Sequence, residues 1–379
     1  MQDFIYRNPV QVIFGRGKAA ETGITVARLG KSALLVYGKE SIKTTGLYGR
    51  IHQSLAAAGV RTADHGGVKP NPLISHAREG IAKARAEGLE VILAVGGGSA
   101  MDEAKAIAAG AMADYDPWLF FKEGKRPERA LPVVAVPTLA ATGSEMNGNC
   151  VLTDADSGQK LGMYSPHLYP AAAILDPELT MSVPRDQTVN GIVDIFSHIM
   201  EPYFGGRETD APVQDRLAEG LFLALFETAR RVLENPLGYE GRADMLWAGG
   251  VALYGIVQAG RGPAGWENHM LAHTLGALTD APHGACLAVA MPGWMEHAAR
   301  TKPDKFEQFA ERVIGVKGAH NGIAQLKTLF SRMGAPVTLG QLGLKEDDIP
   351  RIVAHVLESA PGGGSLGPSG IASVLKLCI

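Results

Sequence analysis

The sequence predicts an α/β fold in its first half, built on a parallel sheet, and an all-α fold in its second half. Residues 1–180 alternate short β-branched runs with amphipathic helical stretches, which is the pattern of βα units. From about Val183 apolar residues recur at helical spacing and long strands disappear. A length of 379 residues suggests two domains, which we place at residues 1–180 and 181–379.

Three segments carry the strand signal of the predicted sheet: Ala33–Tyr37, Glu90–Val95 and Leu131–Val136. Each ends at a turn of small residues, and open α/β sheets bind ligands at that end of their strands. Apolar periodicity predicts helices over four further segments: Leu47–Ala58, Ala100–Ala111, Gln214–Leu233 and Ala243–Gln258.

Composition excludes several classes of protein. A net charge of −3 is too balanced for the basic surface that binds nucleic acid. Three cysteines without a CxxC pair suit a reducing compartment and argue against a thiolate zinc site. The chain starts without a secretory signal pattern, and no apolar run is long enough for a membrane span. We therefore expect a cytoplasmic protein that binds neither nucleic acid nor membrane.

Two loops after predicted strands are candidates for nucleotide binding. Gly96–Ser99 follows a strand and opens a helix, so its amides can bind a pyrophosphate, although such a loop can also be only a tight turn. Pro137–Glu145 is rich in hydroxyls that suit ribose and amide groups, and its alternative is a capped turn. The two loops together favour a Rossmann-like, dinucleotide-binding domain.

Five side chains in the second half are candidate metal ligands. Asp194 and His198 are four residues apart and share one face of a helix, and His269, His273 and His283 follow. An Asp/His pair by itself is more often a hydrogen bond on a helix surface, but three further imidazoles suit iron(II) or zinc. Spacing leaves His269 and His273 as alternatives, because they also share a face. Such an ion favours the alkoxide of an alcohol, which hydride removal requires.

With these residues in place, the chain resembles the iron-containing, metal-dependent alcohol dehydrogenases, in particular their butanol dehydrogenase-like branch. The resemblance covers nearly the whole chain and depends on eight ordered matches: Phe4–Pro9, Ile13–Gly17, Pro70–Pro72, Gly96–Lys105, Thr142–Glu145, Ile174–Pro177, Asp194 with His198, and Pro282–Gly284. It implies an NAD(P)-binding α/β domain, a helical metal-binding domain and a dehydroquinate synthase-like fold. It also implies a homodimer.

The resemblance assigns roles to individual residues. It implies a metal held by Asp194, His198, His269 and His283, with His273 beside the substrate as a proton-relay or orienting group. It implies cofactor contacts at Asn71, Gly97, Gly98, Ser99, Asp102, Thr138, Thr142 and Lys160. The loop departs from the family pattern at Leu139, which removes a hydroxyl, and at Ala141, which removes a glycine.

Cofactor choice depends on the residues after the strand that ends at Tyr37. NAD-preferring members of the family place an acidic residue there, whereas this chain has Gly38, Lys39, Glu40 and Ser41. Gly38 leaves room for a 2′-phosphate, which Lys39 and Ser41 can contact, although an inward Glu40 would repel it. We therefore expect NADP(H) to be favoured over NAD(H).

The resemblance implies an NAD(P)H-dependent alcohol dehydrogenase or aldehyde reductase that acts on short-chain primary alcohols and aldehydes. One alternative is a dehydroquinate synthase-like lyase on the same fold, which needs basic residues around a polyhydroxy carboxylate. The predicted metal region instead has the apolar neighbours Trp266, Met270 and Leu271. Another alternative is an inactive binding module, which would most simply have lost metal ligands, yet all four are present.

Overall fold

The computed structural model describes residues 1–206, 210–360 and 362–379. Within these residues, six strands form one parallel sheet in the order β1-β8-β5-β4-β2-β3, and β6 pairs with β7 in an antiparallel hairpin. The strands are β1 Gln11–Phe14, β2 Ser32–Tyr37, β3 Arg61–Gly66, β4 Val91–Gly96, β5 Val133–Pro137, β6 Asn149–Asp154, β7 Gln159–Tyr164 and β8 Ala172–Leu175.

Helices connect the strands and make up most of the second half of the chain. They are α1 Thr22–Ala27, α2 Ser41–Thr44, α3 Leu47–Ala57, α4 Ile74–Ala86, α5 Gly98–Met112, α6 Leu119–Lys122, α7 Arg185–Gly205, α8 Pro212–Glu234, α9 Tyr239–Ala252, α10 Glu267–Thr279, α11 His283–Ala299, α12 Pro303–Phe309, α13 Ala319–Met333, α14 Ile349–Ser359 and α15 Gly367–Lys376. A π-helical turn, Ala310–Ile314, follows α12. None of the described helices is both long and apolar enough to cross a membrane.

The predicted α/β class is confirmed, and the three predicted strands are β2, β4 and β5. Every residue of these three strands is buried, as expected for parallel strands that helices cover on both faces. Alternate residues along β2 pack into two different apolar cores, Leu34 and Val36 into one and Ala33 and Leu35 into the other. The sheet therefore aligns the carboxyl ends of β2, β4 and β5 along one edge.

The chain divides into two compact units. One contains the sheet and comprises Arg7–Val183 with Glu234–Tyr254, and the other comprises Met1–Tyr6, Pro184–Leu233 and Gly255–Ile379. Helix α9 thus belongs to the sheet unit, where the Gly249 carbonyl lies so close to Gly143 that an added Cβ would be 2.6 Å from it. This division differs from the predicted ranges 1–180 and 181–379, because tertiary packing places a later helix in the earlier unit.

The predicted helix Ala243–Gln258 is wrong at its carboxyl end, because α9 ends at Ala252. Gly255 has a φ of +92°, a left-handed conformation that favours glycine and that an α-helix does not contain. Apolar residues continue to recur past this point, so periodicity by itself did not reveal the end of the helix. The other three predicted helices correspond to α3, α5 and α8.

An aromatic core supports α7 in the helical unit. The ring of Phe196 contacts those of Phe222, Phe309 and Phe330, with centroids between 4.6 and 6.3 Å apart. Asp194 and His198, two residues to either side of Phe196, leave α7 on a different face. The core therefore holds the helix in an orientation that directs those two side chains away from the phenylalanines.

Candidate functional site

Four of the five candidate metal ligands lie together in the helical unit. Asp194 Oδ1 is 3.7 Å from His198 Nε2, 3.9 Å from His269 Nε2 and 3.7 Å from His283 Nε2. Three helices supply them, because α7 carries Asp194 and His198, α10 carries His269, and α11 begins at His283. One carboxylate oxygen thus faces three imidazole nitrogens that the sequence separates by up to 85 positions.

The chemistry of these donors fits a divalent transition metal. Asp194 and His198 are buried, and His198 Nδ1 has no hydrogen-bond partner among the described residues. Burial lowers the pKa of His198 to about 4, with the nearby Asp194 opposing the shift, so the imidazole is neutral near pH 7. Neutral imidazole and carboxylate are the ligands that iron(II) and zinc share.

Glu201 orients His269 and was missed by the sequence analysis. Its Oε1 accepts a hydrogen bond from the backbone N–H of His269 at 2.8 Å and lies 2.8 Å from the Nδ1 of the same residue. A proton on Nδ1 leaves the Nε2 lone pair facing Asp194, which is how outer carboxylates orient metal-ligating histidines. The spacing 194, 198, 201 places Glu201 on the same helix face, which could have marked it as a candidate but does not identify His269 as its partner.

His273 lies beside the cluster formed by Asp194, His198, His269 and His283 and is not one of the three histidines that face Asp194 Oδ1. Its ring centroid is 5.2 Å from that of His283 and 6.3 Å from that of His269. Trp266 packs edge-on against His269, with ring centroids 5.2 Å apart. The backbone of Trp266 is left-handed, with a φ of +53°, which is strained for a tryptophan. The structure thus separates His269 from His273, which share one helix face and which spacing could not distinguish.

The two candidate nucleotide loops are in contact at the carboxyl ends of β4 and β5. A Cβ on Gly98 would lie 2.5–3.0 Å from side-chain atoms of Thr142, so only glycine permits this approach. The backbone N–H of Thr138 donates to the Gly96 carbonyl at 2.9 Å. The predicted residues of these loops are all half-buried: Gly97, Gly98, Ser99, Thr138 and Thr142.

The remaining predicted cofactor residues lie on several elements of the same unit. Gly38 follows β2, and its backbone N is 4.0 Å from where a Cβ on Gly96 would be. Lys39 and Ser41 follow it and are exposed. Lys160 on β7 donates to Asn71 Oδ1 at 2.8 Å, so two residues that are 89 positions apart meet.

The side chain of Asp102 accepts two hydrogen bonds from described residues. Its Oδ1 accepts from the Ser144 hydroxyl at 2.7 Å and its Oδ2 from the Val151 backbone N–H at 3.0 Å. Burial raises its pKa, and the nearby Lys105 opposes the shift. These contacts tie α5 to the second loop and to the β6–β7 hairpin.

Lys105 is fully buried and holds the second loop, a role that the sequence analysis did not assign. Its Nζ donates to the Ser144 hydroxyl at 2.8 Å, to Asn147 Oδ1 at 3.2 Å and to the Asn149 carbonyl at 2.8 Å. Burial lowers its pKa, against the charge of Asp102. The signal that could have indicated this anchor is a lysine within the otherwise apolar run Ala104–Gly110.

Comparison with known proteins gives one consistent result. Residues 9–177 match the family model described as iron-containing alcohol dehydrogenase, and residues 188–368 match that of the Fe-containing alcohol dehydrogenase family, C-terminal. The chain is 38% identical to a probable NADH-dependent butanol dehydrogenase of Bacillus subtilis, over 99% of both chains. It is 35% identical to the NADPH-dependent aldehyde reductase YqhD of Escherichia coli, over 94% of both.

A solved structure agrees with these sequence relatives. The NADH-dependent butanol dehydrogenase A of Thermotoga maritima superposes with a TM-score of 0.94 at 38% identity, covering 100% of this chain and 99% of that one.

Proposed function

Because the chain belongs to the iron-containing alcohol dehydrogenase family and is an NAD(P)H-dependent alcohol dehydrogenase or aldehyde reductase, we propose that it interconverts short-chain primary alcohols and their aldehydes. This proposal depends most on the observation that Asp194 Oδ1 faces the Nε2 atoms of three histidines, of which His198 is buried and His283 is partly exposed. The butanol dehydrogenase relatives support the chain length of the substrate. A lyase is not favoured, because the named relatives are oxidoreductases.

Asp194, His198, His269 and His283 are the residues that would hold one divalent ion, iron(II) or zinc. One carboxylate and three neutral imidazoles leave a net local charge near +1 with either metal. When bound, the ion polarises the substrate oxygen and the nicotinamide cofactor supplies or accepts the hydride. Adding iron(II) or zinc to the metal-free protein and comparing turnover will show which of the two metals supports the reaction.

The protein contributes orientation and proton transfer. Glu201 holds His269 through two contacts of 2.8 Å, which directs its Nε2 toward Asp194. His273 sits next to His283 and carries the alcohol's hydroxyl proton away during oxidation, or returns one during aldehyde reduction. This assigns acid–base work to the histidine outside the Asp194 cluster.

The nucleotide contacts are proposed at the strand ends of the sheet unit. Gly97, Gly98 and Ser99 would hold the pyrophosphate, supported by the helix start that they form. The loop residues Thr138 and Thr142, with Asn71, Lys160 and Asp102, complete the proposed set.

NADP(H) is the proposed preferred cofactor. The carboxylate of Glu40, which the sequence left as a possible source of repulsion, is exposed and paired with Lys43 at 3.2 Å. Lys39 and Ser41 are exposed after β2 and accessible to a 2′-phosphate. Named relatives use either cofactor, NADH in the butanol dehydrogenases and NADPH in the aldehyde reductase.

The test is cofactor oxidation with butanal on protein stripped of metal and then restored with iron(II) or zinc, with Asp194→Ala as the comparison. We expect turnover that needs both the metal and Asp194. Restored protein that binds metal and NADPH or NADH but oxidises neither with any short aldehyde would contradict the proposed substrate class. The cytoplasmic location and the homodimer stay predictions.

A further inference from the structure

A second cluster of potential metal ligands lies in the sheet unit, among residues to which the function above gives no role. His65 is on the edge strand β3, His76 on α4 and Glu103 on α5. Glu103 Oε1 is 3.0 Å from His65 Nε2 and 2.6 Å from His76 Nδ1. One ligand atom from each of the three residues lies within 4.8 Å of those of the other two.

The carboxylate at the centre of this cluster is completely buried and incompletely satisfied. Glu103 is 0% exposed, and its Oε2 has no hydrogen-bond partner among the described residues. Within residues 1–206, 210–360 and 362–379, its only ion-pair partners are His65 and His76. A buried carboxylate is costly without a positive partner, and no lysine or arginine of the described chain provides one.

The surrounding chain is shaped to hold the two imidazoles. Their rings stack with centroids 4.1 Å apart. Gly80, one turn after His76 on α4, leaves the space that His65 occupies, since a Cβ there would lie 3.0 Å from its Nε2. His65 is 7% exposed, whereas the side chain of His76 is 25% exposed, so the cluster is reached from solvent on the His76 side.

We propose that His65, His76 and Glu103 form a second site for a divalent transition metal, separate from the Asp194 centre. Two imidazoles and one carboxylate suit zinc, cobalt(II) and related ions, with solvent available for the remaining position. Ligand atoms around one tetrahedral ion are roughly 3.3 Å apart. The two contacts of Glu103 therefore need to open by less than about 1 Å, which is a side-chain adjustment.

This site would brace the segment that carries a proposed cofactor residue. Residues 67–73 connect β3 to α4, and they include Asn71 in a left-handed conformation with φ +56°. An ion bound by His65 before this connection and by His76 after it closes the segment into a short loop. We expect the metal to stabilise the sheet unit against unfolding.

The experiment uses the full-length, tag-free Asp194→Ala protein, in which the proposed first centre is disabled. After removal of metal by a chelator, it is titrated with cobalt(II), whose visible absorption reports protein ligands. We expect one equivalent per chain to bind and zinc to displace it. Adding His76→Ala or Glu103→Gln weakens binding by more than about tenfold, since even changes outside the ligand shell cost about 10–100-fold.

His52→Ala is the matched control. His52 Nε2 is also paired with a carboxylate of the sheet unit, 3.1 Å from Asp64 Oδ1, but that carboxylate is 33% exposed and has no second histidine partner among the described residues. We expect this variant to bind cobalt(II) as its parent does. The second measurement is the increase in Tm that zinc causes. We expect this increase in Asp194→Ala and in its His52→Ala derivative, and we expect it to be lost when His76→Ala is added.

The proposal is overturned if Asp194→Ala binds no cobalt(II), or if His76→Ala and Glu103→Gln leave its affinity and the zinc effect on Tm unchanged. Glu103 is completely buried, so Glu103→Gln can fail to fold. His76 is partly exposed, so His76→Ala should stay folded and keep the test valid. Circular dichroism checks the folding of both variants. The two metal proposals fail separately. If Asp194 and its three histidines bind no metal, the wild-type protein still binds one equivalent, which His76→Ala or Glu103→Gln weakens and Asp194→Ala does not.

Discussion

A Cβ atom on Gly284 would lie 2.2 Å from the backbone carbonyl oxygen of Asn190. The beginning of α11 therefore approaches the backbone of α7 through a residue that has no side chain. His283, the residue before Gly284, is brought by this approach to 3.7 Å from Asp194 Oδ1. The contact between two backbones thus determines the position of one proposed metal ligand.

We predict that Gly284→Ala separates α11 from α7 and weakens metal binding by at least about tenfold, because overpacking costs about 1–3 kcal/mol and displaces His283. Metal titration of the apoprotein and the Tm measure both effects. Gly276→Ala on α10 is the control, since its Cβ would meet no atom closer than 3.6 Å. Equal metal affinity in the two variants would show that the close approach is not needed.

We predict that Glu201→Leu lowers metal affinity by about 10–100-fold, as loss of an outer carboxylate does at other metal sites. The leucine cannot accept the hydrogen bonds from His269 Nδ1 and its backbone N–H. Glu201→Gln keeps an acceptor oxygen and should retain most of the affinity. A competition titration with a chromophoric zinc chelator is the measurement, and equal values for Glu201→Leu and wild type would remove Glu201 from the site.

We predict that His273→Ala lowers kcat by about 10²–10⁴-fold while the bound metal stays at the wild-type level. The reason is that His273 lies beside His283, with ring centroids 5.2 Å apart, whereas the proposed ligands are Asp194 and the three histidines that face it. Steady-state kinetics and elemental analysis of the same preparation test both parts. His320→Ala, at a side chain that is 80% exposed, is the control. An unchanged kcat would exclude His273 from proton transfer.

We predict that Lys39→Ala raises the KM for NADPH by about tenfold and changes the KM for NADH by much less. A 2′-phosphate is present only in NADPH, and an exposed lysine contributes mainly through its charge. Lys122→Ala, an exposed lysine on α6, controls for net charge. The proposed preference for NADPH over NADH is contradicted if the wild-type kcat/KM for NADH exceeds that for NADPH by about tenfold or more.

Glu145 gives a prediction about pH. Burial raises its pKa to about 7, with a backbone hydrogen bond and the Lys105 charge acting in the opposite direction. An unfolded glutamate has a pKa of about 4.3. Between these two values the folded chain holds a proton that the unfolded chain has lost, so this group's contribution to stability decreases as pH rises and is lost above about pH 7.

We therefore predict that Glu145→Gln gains stability relative to wild type as pH rises from about 5 to about 8, by up to about 3 kcal/mol. The amide carries no charge to desolvate at either pH. Thermal unfolding of both proteins at the two pH values tests this, with Glu123→Gln at an exposed position as the control. A Tm difference that does not change with pH would contradict it.

Local pattern determined much of the fold. Uninterrupted apolar runs predicted β2, β4 and β5, because buried parallel strands need apolar side chains on both faces. Motif order identified the family, and the pair Asp194 and His198 was predicted from helical geometry alone. These features depend on residues that are close in the chain, where spacing and backbone conformation decide which side chains meet.

Tertiary structure decided the contacts between distant segments. Glu201 can be recognised as the partner of His269 only when α10 packs on α7, and Lys105 as a buried anchor only when the second loop folds over α5. Glu103 meets His65, which is 38 positions away in the chain, and His76, which is 27 positions away, and the three residues lie on three different elements. Helical spacing cannot predict such meetings, because they depend on how strands and helices pack in three dimensions.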